Sequence, residues 1–367
     1  MSKVYFSNVR SHGAKDNKIQ KIKRLYQKVC SPSIEKGDLV AIKLHFGEYG
    51  NDTFISPILV RAVVDEVIAQ GGIPFICDTN TLYSGKRHNS PEHIVTAIEH
   101  GFTYSVVRAP VIIADGVRSR NFREVEIGKK HFKKVKIAGD ILDADAMITL
   151  SHFKGHMLAG FGGAIKNLSM GCSPAAGKKD QHGTKAKVKE SKCAGCGECV
   201  RHCPEGAVSL IGDGKAVIKQ DLCTGCGECM TVCPASAIYM DWRTDPGDFC
   251  ERLAEYALGA VKDKAAKASY MNFLVNISPD CDCAGWSDVP IVHDIGFLAS
   301  NDPVALDSAS LDMVNDAPGN PASSLPGNIG KGTDKFKALR EELRGEIQLQ
   351  HGQTIGLGSR KYEIIEI

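Results

Sequence analysis

Apolar residues along the chain fall into two alternating rhythms. DLVAIKLHF (38–46) is a near-continuous apolar run of strand length, the pattern of a strand buried on both faces. The next stretch, SPILVRAVVDEVIAQGG, places Leu59, Val63, Val67 and Ile68 at helical spacing, with a proline near its start and glycines past its end. GIPFICDTN then predicts a strand, SPEHIVTAIEHG a helix with Ser90 as its N-cap, and APVIIADG and DAMITLSH further strands. Strands alternating with helices predict an α/β fold: a mostly parallel sheet with helices on both faces.

From Val188 to about Trp242 the texture changes to cysteine, glycine and proline with short apolar runs. The helix-like EYALGAVKDKAAKA, strand-like YMNFLVNI and helix-like PVALDSASLDMVND then resume the first style. The expected organisation is an α/β domain over 1–187 with a cleft, a small α+β insert over 188–243, and an α/β portion over 244–367 that completes the body. A charged helix, KALREELRGE, and a short strand, KYEIIEI, close the chain.

Composition narrows the class. The 367 residues are 43% hydrophobic and 24% charged, ordinary for a folded protein, and 45 basic residues against 43 acidic give no field for nucleic acid or an anionic membrane. The start, MSKVYFSNVR, lacks the pattern of a signal peptide, and no apolar run approaches the ~18 residues of a membrane span; the expectation is a cytoplasmic protein. There clustered thiols are metal ligands more often than disulfides, and eight of the fourteen cysteines are clustered.

Those eight form a repeat. Cys193, Cys196, Cys199, Cys203 and Pro204 recur thirty residues on as Cys223, Cys226, Cys229, Cys233 and Pro234. A cubane iron–sulfur cluster needs four thiolates placed tetrahedrally; one short loop wraps three corners and borrows the fourth. Paired CxxC motifs also suit zinc, but the triple spacing, the terminal Cys-Pro and the duplication favour iron. These residues resemble a bacterial-type two-cluster ferredoxin. The expected ligands are Cys193, Cys196, Cys199 and Cys233 for one 4Fe–4S cluster and Cys223, Cys226, Cys229 and Cys203 for the other. Gly195, Gly197, Gly225 and Gly227 would let backbone amides approach the sulfurs and tune the potential.

In open α/β sheets ligands sit at the carboxyl ends of the strands. The expected strand ends carry His45, Asp78 with Thr79, and Ser151 with His152, which would converge on one crevice. SHFKGHMLAGFGGAIKNLSMGC (151–172) follows the last of these as a glycine-rich, loop-like run. Its glycines match neither the dinucleotide nor the P-loop pattern, yet Gly160, Gly162 and Gly163, with Asn167 and Cys172, would allow close approach to a cofactor. Lys166 would bind an anion or a covalent group; its plainer reading is a surface lysine at a helix start, as that of Cys172 is a core thiol. Cys281 and Cys283 in PDCDCAG, ahead of Asp288, His293 and Asp294, suit a turn beside the cleft or a metal or redox site. Cys30, Cys77 and Cys250 read as packing residues, and Trp242 and Trp286 as core or cleft-wall aromatics.

His156, Lys166 and His182, within HMLAGFGGAIKN and its continuation, share the spacing of lactate racemases that use a nickel-pincer nucleotide, which the chain distantly resembles here. The resemblance implies a covalent cofactor on Lys166, a nickel ligand at His182 and proton transfer by His156, with His88 in RHNSPEHI as a second proton-transferring histidine. The chain departs from that pattern at Ile165, where those enzymes carry arginine, and at HFGEYGNDTFISP, which replaces their DxTRP motif. Over nearly its full length, with GAIKNLSMGC ahead of the cysteine repeats and NISPDCDCAGWSDVPIVHDIGFLASNDPVALDSAS after them, the chain closely resembles a family of uncharacterised Fe–S centre proteins, a domain of unknown function.

The leading expectation is an oxygen-sensitive iron–sulfur oxidoreductase. Two 4Fe–4S clusters would pass single electrons to or from a small anionic substrate, or a small organic or nucleotide cofactor, in a cleft lined by His45, Asp78, His152, His156, Lys166 and His182. Its partners would be a redox protein and a small-molecule ligand; the chain carries no signature of an oligomeric state. One alternative is a non-catalytic electron carrier or redox-linked binding protein, another a racemase-like enzyme with a covalent cofactor on Lys166.

Overall fold

A computed structural model describes the chain apart from residues 84, 184, 204, 221, 224–227, 242–244 and 328, and the side chains of 228, 231 and 240. The chain divides into a body, 1–175 with 246–367, and a small unit, 176–245.

The body is built on one sheet of eight strands: Ser2–Asn8 (β1), Leu39–Lys43 (β2), Ile73–Asp78 (β3), Val111–Ile113 (β4), Ala146–His152 (β5), Ala268–Leu274 (β6), Gly296–Ser300 (β7) and Tyr362–Glu366 (β8). Their spatial order is β8-β1-β7-β6-β5-β2-β3-β4. Every neighbouring pair is parallel except the two that β7 makes, with β1 and with β6. The α/β, mostly parallel class is therefore as the hydrophobic pattern predicts.

Side chains alternate across the sheet with period two. Val40, Ile42, Ile148, Leu150, Met271 and Phe273 pack on one face with the helices Lys18–Val29, Pro57–Gln70 and Ser90–Glu99. Ala41, Met147, Tyr270 and Leu298 pack on the other with Ala164–Ser169, Pro246–Val261 and Pro303–Asp316. Helices cover both faces, which is why the central strands read as unbroken apolar runs.

Local expectations needed several corrections. The 57–70 helix buries Val60, Val63, Val64 and Val67, whereas Leu59 is half-buried and Ile68 is exposed, so its inner stripe is rotated from the one read off the sequence. Asn89, not Ser90, caps the Ser90–Glu99 helix, its side chain accepting from the Glu92 amide. KALREELRGE is not one helix: Lys335–Leu339 ends where Arg340 turns extended and reaches Asp280, and a second helix spans Glu346–Thr354. Trp286 is exposed rather than in the core. The glycine-rich run is no simple loop either: Lys154–His156 and Gly160–Gly162 pair as a tight antiparallel hairpin leading into the Ala164–Ser169 helix.

The small unit holds two antiparallel ladders, Lys185–Val188 with Ile238–Asp241 and Val208–Leu210 with Ala216–Ile218, and short helices at Glu198–Arg201 and Glu228–Thr231. Its interior is Ala186, Val208, Ala216, Ile218 and Ile238 with cysteines around them. Among the described residues this apolar cluster is small for a unit of about 70 residues to fold on burial alone.

Candidate functional site

Four parallel strands, β2, β3, β5 and β6, end on the same edge of the sheet. β2 delivers Lys43 and then His45, β3 delivers Asp78, β5 delivers His152, and the loop after β6 carries Cys281, Asp282 and Cys283. Above this edge is a cleft of about 360 Å³ whose wall includes His45, His152, Lys154, Gly162, Lys166 and Asn167. No carboxylate is among the lining residues.

Beneath the cleft lies a buried ion network. Lys43 Nζ is 3.0 Å from Asp78 Oδ1 and donates to Asn167 Oδ1 at 2.7 Å and to the Leu44 carbonyl. Asn167 in turn donates to the Leu150 carbonyl and the Ser151 hydroxyl, tying the 164–169 helix to β5. Arg87 pairs with Glu48 and Asp78 and donates to the Tyr83 hydroxyl, which donates to the Cys283 carbonyl. Burial alone would raise the Asp78 carboxyl; Lys43, aided by His45, His93 and Arg87, more than reverses this and holds it well below the usual range. His45 is pushed the other way: burial first, and then Arg87, keep its ring neutral. The Gly47 amide donates to His45 Nδ1, so the remaining proton sits on Nε2.

A second centre is Asp282. Its Oδ1 accepts from His152 Nδ1 at 2.7 Å and from the Thr53 hydroxyl, and its Oδ2 lies 3.1 Å from Lys154 Nζ. His152 Nε2 faces the carbonyls of Val275 and Asn276, both at 3.0 Å. Both ring nitrogens face acceptors within the protein, so His152 is a clamp on the loop rather than a proton shuttle. On either side of Asp282 the two thiols come together: Lys166 Nζ is 3.1 Å from Cys281 Sγ, and donor atoms of His156, Cys281 and Cys283 all lie within 4.8 Å of one another. The hydrogen bond from Cys283, then the charges of Lys166 and Lys154, outweigh burial and hold the Cys281 thiol well below its ordinary range; Cys283 is raised by the same bond. Burial works against the Lys166 ammonium, yet Cys281 and Cys283 raise it overall. Lys166 is therefore a cation, poorly suited to act as a free-amine nucleophile.

The structure gathers His45, His152, Lys166, Gly162, Gly163 and Asn167 at the cleft. Asp78 lies in the network below it. His156 sits with the cysteine pair, its ring stacked on Phe249. His88 is exposed on the loop before its helix, and the neighbouring Arg87 is the residue turned inward. His182 ends the helix Ala175–His182, in the small unit. Cys172 is in the apolar core, and Cys30, Cys77 and Cys250 are likewise buried. The glycines serve packing: a Cβ at Gly160 would sit 2.8 Å from Gly345 Cα, and one at Gly163 2.3 Å from Asp307 Oδ1. Asp307 accepts from the amides of Ala164 and Ile165 and so fixes the helix that carries Lys166.

Sequence reasoning missed Lys43, Arg87, Lys154 and Asp282. One signal was available: a lysine inside the apolar run AIKLHF must be paired if that run is buried.

In the small unit, a space of about 320 Å³ is lined by Cys193, Cys196, Cys199 and Cys233 with Gly195, Gly197 and Ala237. The two runs repeat one detail: the Ala207 amide donates to Cys203 Sγ and the Ala237 amide to Cys233 Sγ, each at 3.3 Å. The Ala216 amide donates to Cys193 Sγ and, with Gly195, holds that thiol below its ordinary range. None of the described cysteines is in a disulfide. Cys226, Gly225, Gly227, Pro204 and Trp242 lie outside the described residues.

Residues 40–312 match the model of the family "Domain of unknown function (DUF362)", and the chain belongs to that family. No curated protein matches the sequence. Among solved structures, the lactate racemase apoprotein from Thermoanaerobacterium thermosaccharolyticum is similar at a TM-score of 0.44 and 12% identity, covering 87% of this chain. This chain spans 58% of that one. Among the described residues no helix is long and apolar enough to cross a membrane.

Proposed function

We propose that this member of the domain-of-unknown-function family is an iron–sulfur oxidoreductase. Cys193, Cys196, Cys199 and Cys233 would hold one 4Fe–4S cluster, and Cys223, Cys226, Cys229 and Cys203 the other. Such clusters, when bound, accept and give single electrons at low potential. The cleft of the body would take a small anionic substrate or cofactor.

The observation that carries this reading is the composition of the cysteine-lined space: three thiols of one run and the last thiol of the other surround it. That is the ligand set a cubane requires, supplied with amide donors to sulfur as such sites are. A unit with so few apolar residues also needs a staple, and metal is the staple its cysteines can bind.

In the cleft wall, Lys166 and Lys154 offer cationic side chains to an anion, Lys154 with Asp282 behind it. His45, neutral and protonated on Nε2, offers a donor to a carbonyl or carboxylate oxygen. The Lys166–Cys281 pair weighs against a covalent cofactor on Lys166.

Iron and acid-labile sulfide assayed on protein purified without oxygen test the reading. About eight irons per chain, falling to about four in Cys233→Ser, are expected. Zinc without iron would overturn it, and nickel with a covalent mass on Lys166 would restore the racemase-like alternative.

A further inference from the structure

The Cys281–Cys283 pair has the layout of a reagent rather than of a metal site. The two thiols occupy one tight turn, closed by the Ala284 amide donating to the Cys281 carbonyl at 2.9 Å. Asp282 between them is locked by His152, Lys154 and Thr53, so both sulfurs are held to one side. Their donor atoms lie within 4.8 Å of one another and of a donor atom of His156, the span a metal ion could bridge. The surroundings argue against an ion. His156 Nδ1 accepts from the amides of both Leu158 and Ala159, so the ring keeps its proton on Nε2 and cannot ligate through it. Lys166 Nζ already stands 3.1 Å from Cys281 Sγ, where a metal would place a second cation against it. Protons and ammonium surround the sulfurs, an environment that stabilises thiolate.

We propose that Cys281 and Cys283 are a redox dithiol, set behind the cleft-wall residue Lys166, that exchanges with a low-molecular-weight disulfide. The proposal rests on the oxidoreductase reading and adds a two-electron centre to it. Cys281 is buried and Cys283 is half-buried, so Cys283 is the outer sulfur. It passes its proton to Cys281, whose sulfur lies within 4.8 Å, as it attacks one sulfur of R–S–S–R, forming a mixed disulfide and releasing RS⁻. That thiolate takes the proton from Cys281, whose sulfur then attacks Cys283 Sγ; the internal disulfide closes and a second RS⁻ leaves. In sum, one singly ionised dithiol and one disulfide give one internal disulfide, one thiol and one thiolate, and two electrons leave the protein. Oxidation also removes the thiolate beside Lys166, freeing its ammonium for an anion in the cleft.

The tryptic peptide 268–331 contains Cys281 and Cys283 and no other cysteine, so it can be read without interference from the eight repeat cysteines. Full-length protein, kept free of oxygen, is treated with 2-hydroxyethyl disulfide, quenched in acid, alkylated with iodoacetamide and digested. The expected peptide carries an internal disulfide and no alkyl group. In Cys281→Ser the mixed disulfide is trapped on Cys283, and in Cys283→Ser capture slows by about tenfold or more because the remaining sulfur is shielded. Lys166→Met moves the pH at which capture is half-maximal upward. Wild-type peptide that emerges with both cysteines alkylated, under conditions that oxidise the unfolded chain, overturns the proposal whatever the variants do. Iron measured on the same sample separates that failure from failure of the oxidoreductase reading.

Discussion

His152 donates from Nδ1 to Asp282 Oδ1 at 2.7 Å, and this contact joins the end of β5 to the loop that follows β6. With Lys154 on its other oxygen, Asp282 pairs one ammonium and holds one ring in a buried site. Replacing it with alanine leaves the Lys154 ammonium buried without its carboxylate and His152 Nδ1 without its acceptor, a defect that costs about 3–5 kcal/mol. Asp282→Ala is therefore expected to unfold at markedly lower urea concentration than wild type. A loss below about 1 kcal/mol would mean that water reaches the site.

The Lys43–Asp78 pair makes a related but separable case. Lys43→Met alone takes from Asp78 its nearest cation and leaves Arg87, at 3.4 Å, as its remaining ion pair, so a loss of up to about 3–5 kcal/mol is at stake. Removing both charges in Lys43→Met/Asp78→Asn is expected to recover most of that loss, since replacing a whole buried pair is often near neutral. A double-mutant cycle in urea measures the coupling. A coupling near zero would show that Asn167 and the Leu44 carbonyl hold Lys43 without Asp78.

Gly155 tests how the hairpin and the dithiol turn share space. A Cβ on residue 155 would meet the Pro279 carbonyl oxygen at 2.0 Å, so backbone has to move. Gly155→Ala should displace the 278–283 loop and separate Lys166 from Cys281 at a cost of about 1–3 kcal/mol. The specific readout is the thiol titration of Cys281 by alkylation, which is expected to move toward that of an ordinary cysteine. A stable variant with an unchanged titration would place the strain elsewhere.

Much of this was legible in the chain. The apolar runs 38–46, 72–80 and 145–152 mark three of the central strands, because burial on both faces removes the polar alternation that would blur them. That His45, Asp78 and His152 come together on one side of the sheet could be read because strand ends in a parallel sheet share an edge. What escaped was set by distant pairing. Nothing local tells that Arg87 turns inward and His88 outward, since the choice is made by Glu48 and Asp78. The role of Cys281 likewise depends on a lysine 115 positions away in the chain. The 337–344 stretch has good helix formers throughout, yet Arg340 leaves the helix to pair with Asp280, a case of tertiary contact overriding propensity.

Asp307 provides a titration opposite in sign to those of Asp78 and Asp282. It accepts two backbone amides of the 164–169 helix and the Asn272 side chain, but burial outweighs these and raises its carboxyl to about 6. The folded state then binds the proton more tightly than the unfolded state, whose carboxyl titrates near 3.9. The contribution is fully present below about pH 3.9 and is lost as pH rises through about 6. A shift of about two units corresponds to roughly 3 kcal/mol. Asp78 and Asp282, held low, contribute in the reverse sense: their stabilisation is present above about pH 4 and is lost as pH falls below it. Asp307→Asn removes one of these titrations and leaves the others. The stability of wild type minus that of the variant, from urea unfolding at several values between pH 4.5 and 7.5, is therefore expected to fall as pH rises, levelling off above about pH 6.5. A difference that is flat, or that grows with pH, would show that the three hydrogen bonds to Asp307 win over its burial and that the carboxylate caps the Lys166 helix in ionised form throughout.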